Sequence, residues 1–481
     1  FHIISPHAFT FSQSLAIITR QDRYKASTLI ITFIKKLLRN KKTKRADIHS
    51  DYIIPRKMHH LSKTEISPNA LTVLNRINAA GFDAYLVGGG VRDLLLRKNP
   101  KDFDISTNAT PQQIRKLFKN ARIIGRRFKL VHILYHREII EVATFRGSTD
   151  ADTKQTDLQT NAKGMLTRDN IYGTLEEDAW RRDFTVNSLY YDVRDASIID
   201  YTGGFKDITQ QQIRMIGDPV LRYQEDPVRL LRAIRFSAKL NFTIEPQTAA
   251  PIKSSTPLLA HVAGSRLFDE ITKIYQCGTA IDVQKKLVQY DIFELFFPQT
   301  HALFNTTYPV EKLLNFALES TDARIKQGKP VIPSFLFAAL LWFPFLHQKE
   351  EIEAKAQAKI KENPDAPAFD ALNAMEQSMR HVLREQCKLI TVPKRHTQVI
   401  REIWLFQYRL QKRNSKRAQD LLSHPRFRAA YDFLGLRALA GDESMALAEW
   451  WNVFQDATPK EQSKMLAKQR RKNHIKKKSH D

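Results

Sequence analysis

Apolar and polar positions follow two different rhythms along this chain of 481 residues. Between Ser67 and about Tyr201, short apolar runs of period two are interleaved with segments of helical spacing. SPNALTVLNRINAAG predicts an amphipathic helix with Ser67 at the N-cap, Pro68 at the first helical position and Gly81 as the stop. DAYLV predicts a strand, three glycines turn the chain, and VRDLLLR makes one or two helical turns. KDFDIST is a second strand, and TPQQIRKLF is a helix capped by Thr110 with Pro111 at its first position. ARIIG, KLVHILY and EIIEVATF add β-segments of a mixed or antiparallel sheet. A hydrophilic loop, roughly residues 147–167, follows. This half is expected to be α+β.

From about Asp207 onward the period-two rhythm stops. PVRLLRAIRFSAKL, SRLFDEITKIYQC, TAIDVQKKLVQYDIFELF, AFDALNAMEQSMRHVLREQC and PRFRAAYDFLGLRALA all show helical spacing. KEEIEAKAQAKIKENPDAP predicts an exposed helix ending in a Pro-containing turn. The longest apolar run, FLFAALLWFPFL, has 12 residues and contains Pro344, so it reads as a buried helix and not as a membrane span.

Charge changes the picture at both ends. Residues 1–45 carry ten Lys and Arg against one acid, and residues 458–481 carry nine against two, so the ends hold 16 of the 25 net positive charges. Flexible basic ends suit phosphate backbones, gripped without reading sequence. Solubilising tails or an anionic membrane surface would use the same charges. Two cysteines, Cys277 and Cys387, exclude a disulfide framework and any multi-cysteine zinc site, and they fit a reducing compartment.

Candidate chemistry gathers in LVGGGVRDLLLRKNPKDFDIST, residues 86–107. On a strand, Asp102 and Asp104 share one side while Phe103 and Ile105 take the other. Two carboxylates at that spacing repel unless a cation sits between them, and oxygen ligands beside a phosphate site suit Mg²⁺. Gly88, Gly89 and Gly90 lack Cβ atoms, so their N–H groups can approach a phosphate closely, with Arg92 and Lys101 near in sequence to neutralise charge. Each element alone is common, but strand, glycine turn, helix and acidic strand in that order form a selective set. His132 and His136 are four apart, a spacing that does not gather ligands on a strand.

GGGVRDLLL, DFD, RRDFTVNSL and EDPVRLLRAIRF, in this order, resemble the class II nucleotidyltransferases, the CCA-adding enzymes and bacterial poly(A) polymerases. The resemblance implies a nucleotidyltransferase head at 61–206, a nucleobase-reading helical neck at 207–275 and an all-α, RNA-binding body at 276–457. A basic extension at 1–60, expected to be flexible, and a basic disordered tail at 458–481 would flank them. It further implies that Asp102 and Asp104 bind two divalent ions, Mg²⁺ with Mn²⁺ as an alternative, and that ATP is a substrate. A third acid is usual, and Glu141 and Asp183 are both candidates. Asp183 would also meet the sugar 2′-hydroxyl, Arg181 and Arg182 the triphosphate. Glu225, Asp226, Arg229 and Arg232 would form the nucleobase-reading element, with Arg235 continuing the spacing. Asp226-Pro227 is equally an ordinary N-cap followed by proline.

Within the family, IIGRRFKLVHI, DNIYGTLEEDAWRRDFTVNSLYYDV and HPRFRAAYDFLGLRA lean toward the poly(A) polymerases. The expectation is template-independent addition of AMP from ATP to RNA 3′ ends by a cytoplasmic monomer, with no membrane partner. CCA addition to tRNA is the alternative. A catalytically silent RNA-binding protein on the same scaffold is disfavoured by the retained Asp102, Asp104 and Arg229.

Overall fold

The computed structural model describes residues 48–125, 129–147, 158–160, 166–169, 172–363, 369–413 and 417–478. The chain divides into two compact units. The first runs to Phe145 and takes in Tyr190–Ile199; the second comprises Arg146–Leu189 and everything from Asp200. A single boundary near residue 206 is therefore not where the compact units part.

The first unit is built on an eight-stranded sheet. Its strands are β1 (Ile53–Ile54), β2 (Ala84–Val87), β3 (Asp104–Thr107), β4 (Ala121–Ile124), β5 (Leu130–Tyr135), β6 (Glu138–Thr144), β9 (Leu189–Asp192) and β10 (Ser197–Asp200). They lie in the order β1-β10-β9-β2-β3-β6-β5-β4. β3 and β6 run parallel, whereas β2–β3, β2–β9, β4–β5, β5–β6 and β1–β10 are antiparallel, so the expected mixed sheet is present.

Sequence rules place the helices that cover it. α1 (Pro68–Ala79) is capped by Ser67, whose Oγ accepts the N–H groups of Asn69 and Ala70. Its stripe of Ala70, Val73, Leu74 and Ile77 is fully buried and packs on β2 and β6. Each large aliphatic side chain removed from water in this way contributes roughly 1.5–3 kcal/mol. α2 (Gly89–Leu95) follows β2 directly. α3 (Pro111–Leu117) starts with a reciprocal capping box between Thr110 and Gln113.

One expected extension proves partly structural. Ile53 and Ile54 pair with Ile199 and Ile198, adding β1 to the sheet, so a loose segment reaching residue 60 is corrected from residue 48 onward. Residues 1–47 lie outside the described residues.

In the second unit, β7 (Leu158–Thr160) and β8 (Leu166–Asp169) form a hairpin inside the expected hydrophilic loop. Two short strands, β11 (Gln212–Ile213) and β12 (Thr243–Ile244), pair in parallel where only helices were expected. The rest is helical: α4 (Leu175–Arg181), α5 (Pro219–Glu225), α6 (Val228–Leu240) and α7 (Gly264–Tyr275) carry the residues of interest. The apolar run around residue 340 is two helices, α8 (Pro333–Leu340) and α9 (Trp342–Glu362). Pro344 sits in the first turn of α9, where its missing N–H breaks no helical bond, and α9 absorbs most of the charged stretch that follows.

The chain ends in α10 (Lys394–Leu410), α11 (Arg417–Leu422), α12 (Phe427–Ala440), α13 (Met445–Asp456) and α14 (Pro459–Lys478). Phe406, Leu410, Phe427, Leu434, Trp451 and Phe454 form their shared core. Over residues 459–478, α14 stands where a disordered tail was expected for 458–481, and residues 479–481 lie outside the described residues; Leu466 is buried in that core and Met465 packs against it. Two apolar residues in a polar sequence, with Gln462 bonded to the carbonyls of Phe454 and Ala457, are enough to anchor the helix.

Trp451 is fully buried and its indole N–H donates to Leu410 O at 2.8 Å. Trp451→Ala should lower unfolding stability by about 3–5 kcal/mol, from the cavity and the orphaned carbonyl. Denaturant unfolding followed by circular dichroism checks it, and a loss under about 1 kcal/mol would contradict this packing.

Candidate active site

In the first unit the acids are placed by strand pairing. β3 begins at Asp104, so Asp102 lies just before the strand instead of within it. Phe103 and Ile105 are buried while Asp102 is exposed and Asp104 half-buried, which keeps the expected division of sides. The parallel register sets Asp104 directly beside Glu141, and the next strand sets Glu141 beside His132. Glu141 lies on an interior strand, yet its side chain is 41% exposed, so it is neither a buried acid nor an edge residue. His132 Nε2 and Glu141 Oε2 are 3.2 Å apart. His132 and His136 do not come together as a ligand pair: His132 faces Glu141, and His136 lies in the β5–β6 turn.

The glycines divide by role. Gly88 has φ 72° and ψ −138°, a backbone conformation that essentially only glycine adopts. Gly89 and Gly90 are already helical, and a Cβ on Gly90 would sit 3.4 Å from Asp102 O. The turn thus brings the start of α2 against the backbone that carries the first aspartate. Arg92 is turned inward: its side chain is 3% exposed, and Nε and Nη2 donate to Asp93 Oδ1 at 2.9 and 2.6 Å. An open phosphate-binding cation at Arg92 is not what this geometry provides.

Asp102, Asp104 and Glu141 are hard oxygen donors of the kind Mg²⁺ takes, so the residues fit the ion in chemical type. Among the described residues no group of three or more His, Cys, Asp or Glu is gathered closely enough to hold a metal.

In the second unit, α6 presents Arg229, Arg232 and Arg235 at intervals of three, and each has different company. Arg229 Nη1 donates to Glu225 Oε2 at 2.7 Å and to Arg222 O at 2.7 Å. Arg232 Nε donates to Asp183 Oδ2 at 2.6 Å. Arg235 lies 4.9 Å from the Phe236 ring centroid, and its buried Nε has no hydrogen-bond partner among the described residues. Asp226 receives Arg266 in bidentate fashion, at 2.9 and 2.7 Å. α6 starts one residue later than the proline suggests, with Pro227 itself at the N-cap and Asp226 before it.

Asp183 is clamped. Its Oδ1 accepts the Phe184 N–H and Asn187 Nδ2, and Oδ2 accepts Arg232. Burial would raise its pKa, but the charge and hydrogen bonds of Arg232 outweigh that and hold it below the usual carboxylate range. Glu225 follows the same logic: burial raises it, and Arg229 with Arg222 bring it down. For Asp226 burial is again opposed, here by Arg266. Of the two candidates for a third metal-binding acid, Asp183 is committed to Arg232 and Glu141 stands beside Asp104.

Arg181 Nη1 donates to Gly147 O, and Arg182 Nη2 lies 3.1 Å from Asp178 Oδ2. Two arginines that the motifs did not single out join these residues. Arg222 donates to Glu225 Oε2 at 2.6 Å and to the carbonyls of Arg181 and Arg182 at 2.7 and 2.6 Å. Its spacing of three from Glu225 was a usable signal. Arg266 lies 40 residues from Asp226 and offered none.

Three segments match family descriptions: residues 84–214 the poly A polymerase head domain, 241–304 the probable RNA and SrmB-binding site of polymerase A, and 368–481 the polymerase A arginine-rich C-terminus. Poly(A) polymerase I of Salmonella typhi is 48% identical over 419 residues, covering 86% of this chain and 88% of its own. Poly(A) polymerase I of Haemophilus influenzae is 42% identical over 438 residues, covering 90% and 94%. The CCA-adding enzyme of Bacillus subtilis is 36% identical over 225 residues, 47% of this chain and 54% of that protein. Among solved structures, the Bacillus stearothermophilus CCA-adding enzyme in complex with CTP has the same fold, with a TM-score of 0.52 at 23% identity over 84% of this chain and 82% of that one. Similarity that spans nearly the whole of both chains at 48% identity, with head, RNA-binding and C-terminal segments in register, settles the relationship: this chain belongs to the bacterial poly(A) polymerase family of nucleotidyltransferases.

Proposed function

We propose that this chain is a template-independent polynucleotide adenylyltransferase, joining AMP from ATP to RNA 3′ ends. The observation that carries the reading is the breadth of the similarity. Poly(A) polymerase I relatives match along 86–90% of this chain, whereas the CCA-adding enzyme of Bacillus subtilis matches along 47%. In the reaction the RNA 3′-hydroxyl oxygen attacks the α-phosphorus, the α–β phosphoanhydride bond breaks, and pyrophosphate leaves. Two unpaired cysteines support a cytoplasmic location, and RNA polyadenylation linked to decay is the implied cellular role.

Asp102, Asp104 and Glu141 would hold divalent ions, Mg²⁺ first among them. When bound, such ions supply activation of the hydroxyl and neutralisation of the departing phosphates. The chain's own contribution is positional: β3 and β6 fix the acids, and the turn at Gly88 leads into the start of α2, where Gly89 is half-buried and its N–H would be the nearest phosphate donor. Arg229 engages its neighbours through Nη1 alone among the described residues, leaving Nε and Nη2 as donors. Asp226 Oδ1 accepts Arg266 Nη1 and the Val228 N–H, while Oδ2 accepts Arg266 Nη2 alone and keeps acceptor capacity. An acceptor beside a donor matches the edge of adenine, an amino group beside a ring nitrogen, and equally that of cytosine. Asp183 would position Arg232 on the same helix and not act as a ligand.

Asp102→Ala or Asp104→Ala should abolish AMP incorporation with the circular dichroism spectrum unchanged, and near-normal activity in either would overturn the site. ATP, CTP, GTP and UTP offered separately with an unstructured RNA primer should give long products with ATP only. Products that stop after C-C-A on tRNA would favour CCA addition instead.

Asp183 has a depressed folded pKa, so its pairing stabilises the fold above the unfolded value of about 3.9 and that benefit fades as pH falls through the folded value. Arg232→Ala leaves the buried carboxylate without its paired counter-charge and should cost about 3–5 kcal/mol at pH 7. The deficit should shrink toward pH 4 as Asp183 takes up a proton. Denaturant titrations at pH 7 and pH 4 check it, and a deficit independent of pH would contradict the clamp.

A further inference from the structure

A cavity of about 600 Å³ opens between α10 and α11, within the roughly 300–1,000 Å³ typical of small-ligand pockets. Arg409, Lys412 and Arg417 line it with Tyr408, His424 and a single acid, Asp420. None of these residues belongs to the acids and arginines described above.

Several arginines elsewhere in this end of the chain are paired, although Arg413 has a buried Nε without a partner among the described residues and lies over Trp450. Arg401 meets Glu376, Arg426 meets Glu402, Arg428 meets Asp432 and Arg437 meets Asp442, at 3.1, 2.7, 3.0 and 2.6 Å. Around the cavity no cation is paired: among the described residues Arg409, Lys412 and Arg417 have no ion pair. Arg409 and Lys412 lie over aromatic faces. Lys412 Nζ is 4.2 Å from the Tyr408 ring centroid, and the Arg409 guanidinium carbon is 5.5 Å from that of Phe406. The His424 ring lies 4.8 Å from Phe406. The floor is stiff, because Phe406, Leu410 and Ala418 belong to the buried core and Leu421 packs on it.

Three uncompensated cations around flat rings, in a hollow wide enough for one nucleotide, match what a single-stranded nucleic acid presents: a phosphate per residue and a base able to stack. An acidic peptide would use the cations and leave the rings unused. We infer that this cavity is a second RNA subsite, holding a phosphate and base of the substrate strand other than the nucleotide being extended. The inference rests on the RNA-extending function proposed above and adds a location to it.

The test uses the full chain and a fluorescently labelled, unstructured RNA of about 20 nucleotides, with affinity read by anisotropy across a salt series. The Arg409→Ala/Lys412→Ala/Arg417→Ala protein should bind at least about tenfold more weakly. The slope of log affinity against log salt should flatten by about 2, at about 0.7 for each phosphate that a cation no longer neutralises. Asp420→Asn removes the one opposing charge and should tighten binding about twofold or more, a gain that misfolding cannot produce. An unchanged affinity and slope in the triple variant, with no gain in Asp420→Asn, overturns the subsite. Equilibrium dialysis with free AMP separates the sources: AMP binding abolished by the triple variant while RNA affinity stays intact also overturns the strand assignment. Wild-type protein that extends no RNA primer would defeat the proposed reaction instead, while the anisotropy series still decides the cavity.

Discussion

One parallel ladder, β3 against β6, sets Asp104 beside Glu141. Like charges in neighbouring register positions push apart, so something must hold the strands in place. The opposite face does so: Leu86, Ile105, Val131, Val142 and Tyr191, successive across the same sheet, are almost completely buried. A slip of one residue would send that apolar row to water and the acids to the core. Burial on one face thereby enforces crowding of charge on the other, and partial exposure with His132 alongside keeps the crowding tolerable.

The second unit solves a related problem with the opposite sign. α6 brings three arginines onto a helical stripe, and burying guanidinium groups costs stability unless each finds an acceptor. Glu225 and Asp183 satisfy the first two, while Arg222 and Arg266 hold Glu225 and Asp226 from outside the stripe. Side chains locked this way are preordered, so a nucleobase meeting Asp226 and Arg229 would not have to immobilise them first. Arg235 is the exception, resting on an aromatic ring with a buried nitrogen unmet.

Local signals carried much of this. Ser67, Thr110 and the proline after each fixed two helix starts, and period two gave β2, β5 and β6. Asp102 and Asp104 stood out because their spacing implies a shared side. What stayed hidden depends on distant partners. Glu141 could be read as buried or as edge until its neighbours were known, because alternation fixes a face and says nothing about which strand lies beside it. Arg92 looked like an available cation, and only the packing of α2 turns it onto Asp93. Asp183 looked like a ligand, yet Arg232, 49 residues away, occupies it. The C-terminal helix was missed because Leu466 and Met465 are too few to impose a visible stripe.

The small strand β1 has a practical meaning for anyone trimming this protein. It covers the outer side of β10, with Ile53 and Ile54 lying against Ile199 and Ile198. Cutting at the point where helical periodicity first becomes obvious, shortly before Ser67, would strip that cover. The sheet would then present bare N–H and C=O groups flanked by isoleucines, a template for joining to another molecule. Shortened versions that clump on purification would owe it to two missing residues, with Asp102, Asp104 and Glu141 still in place.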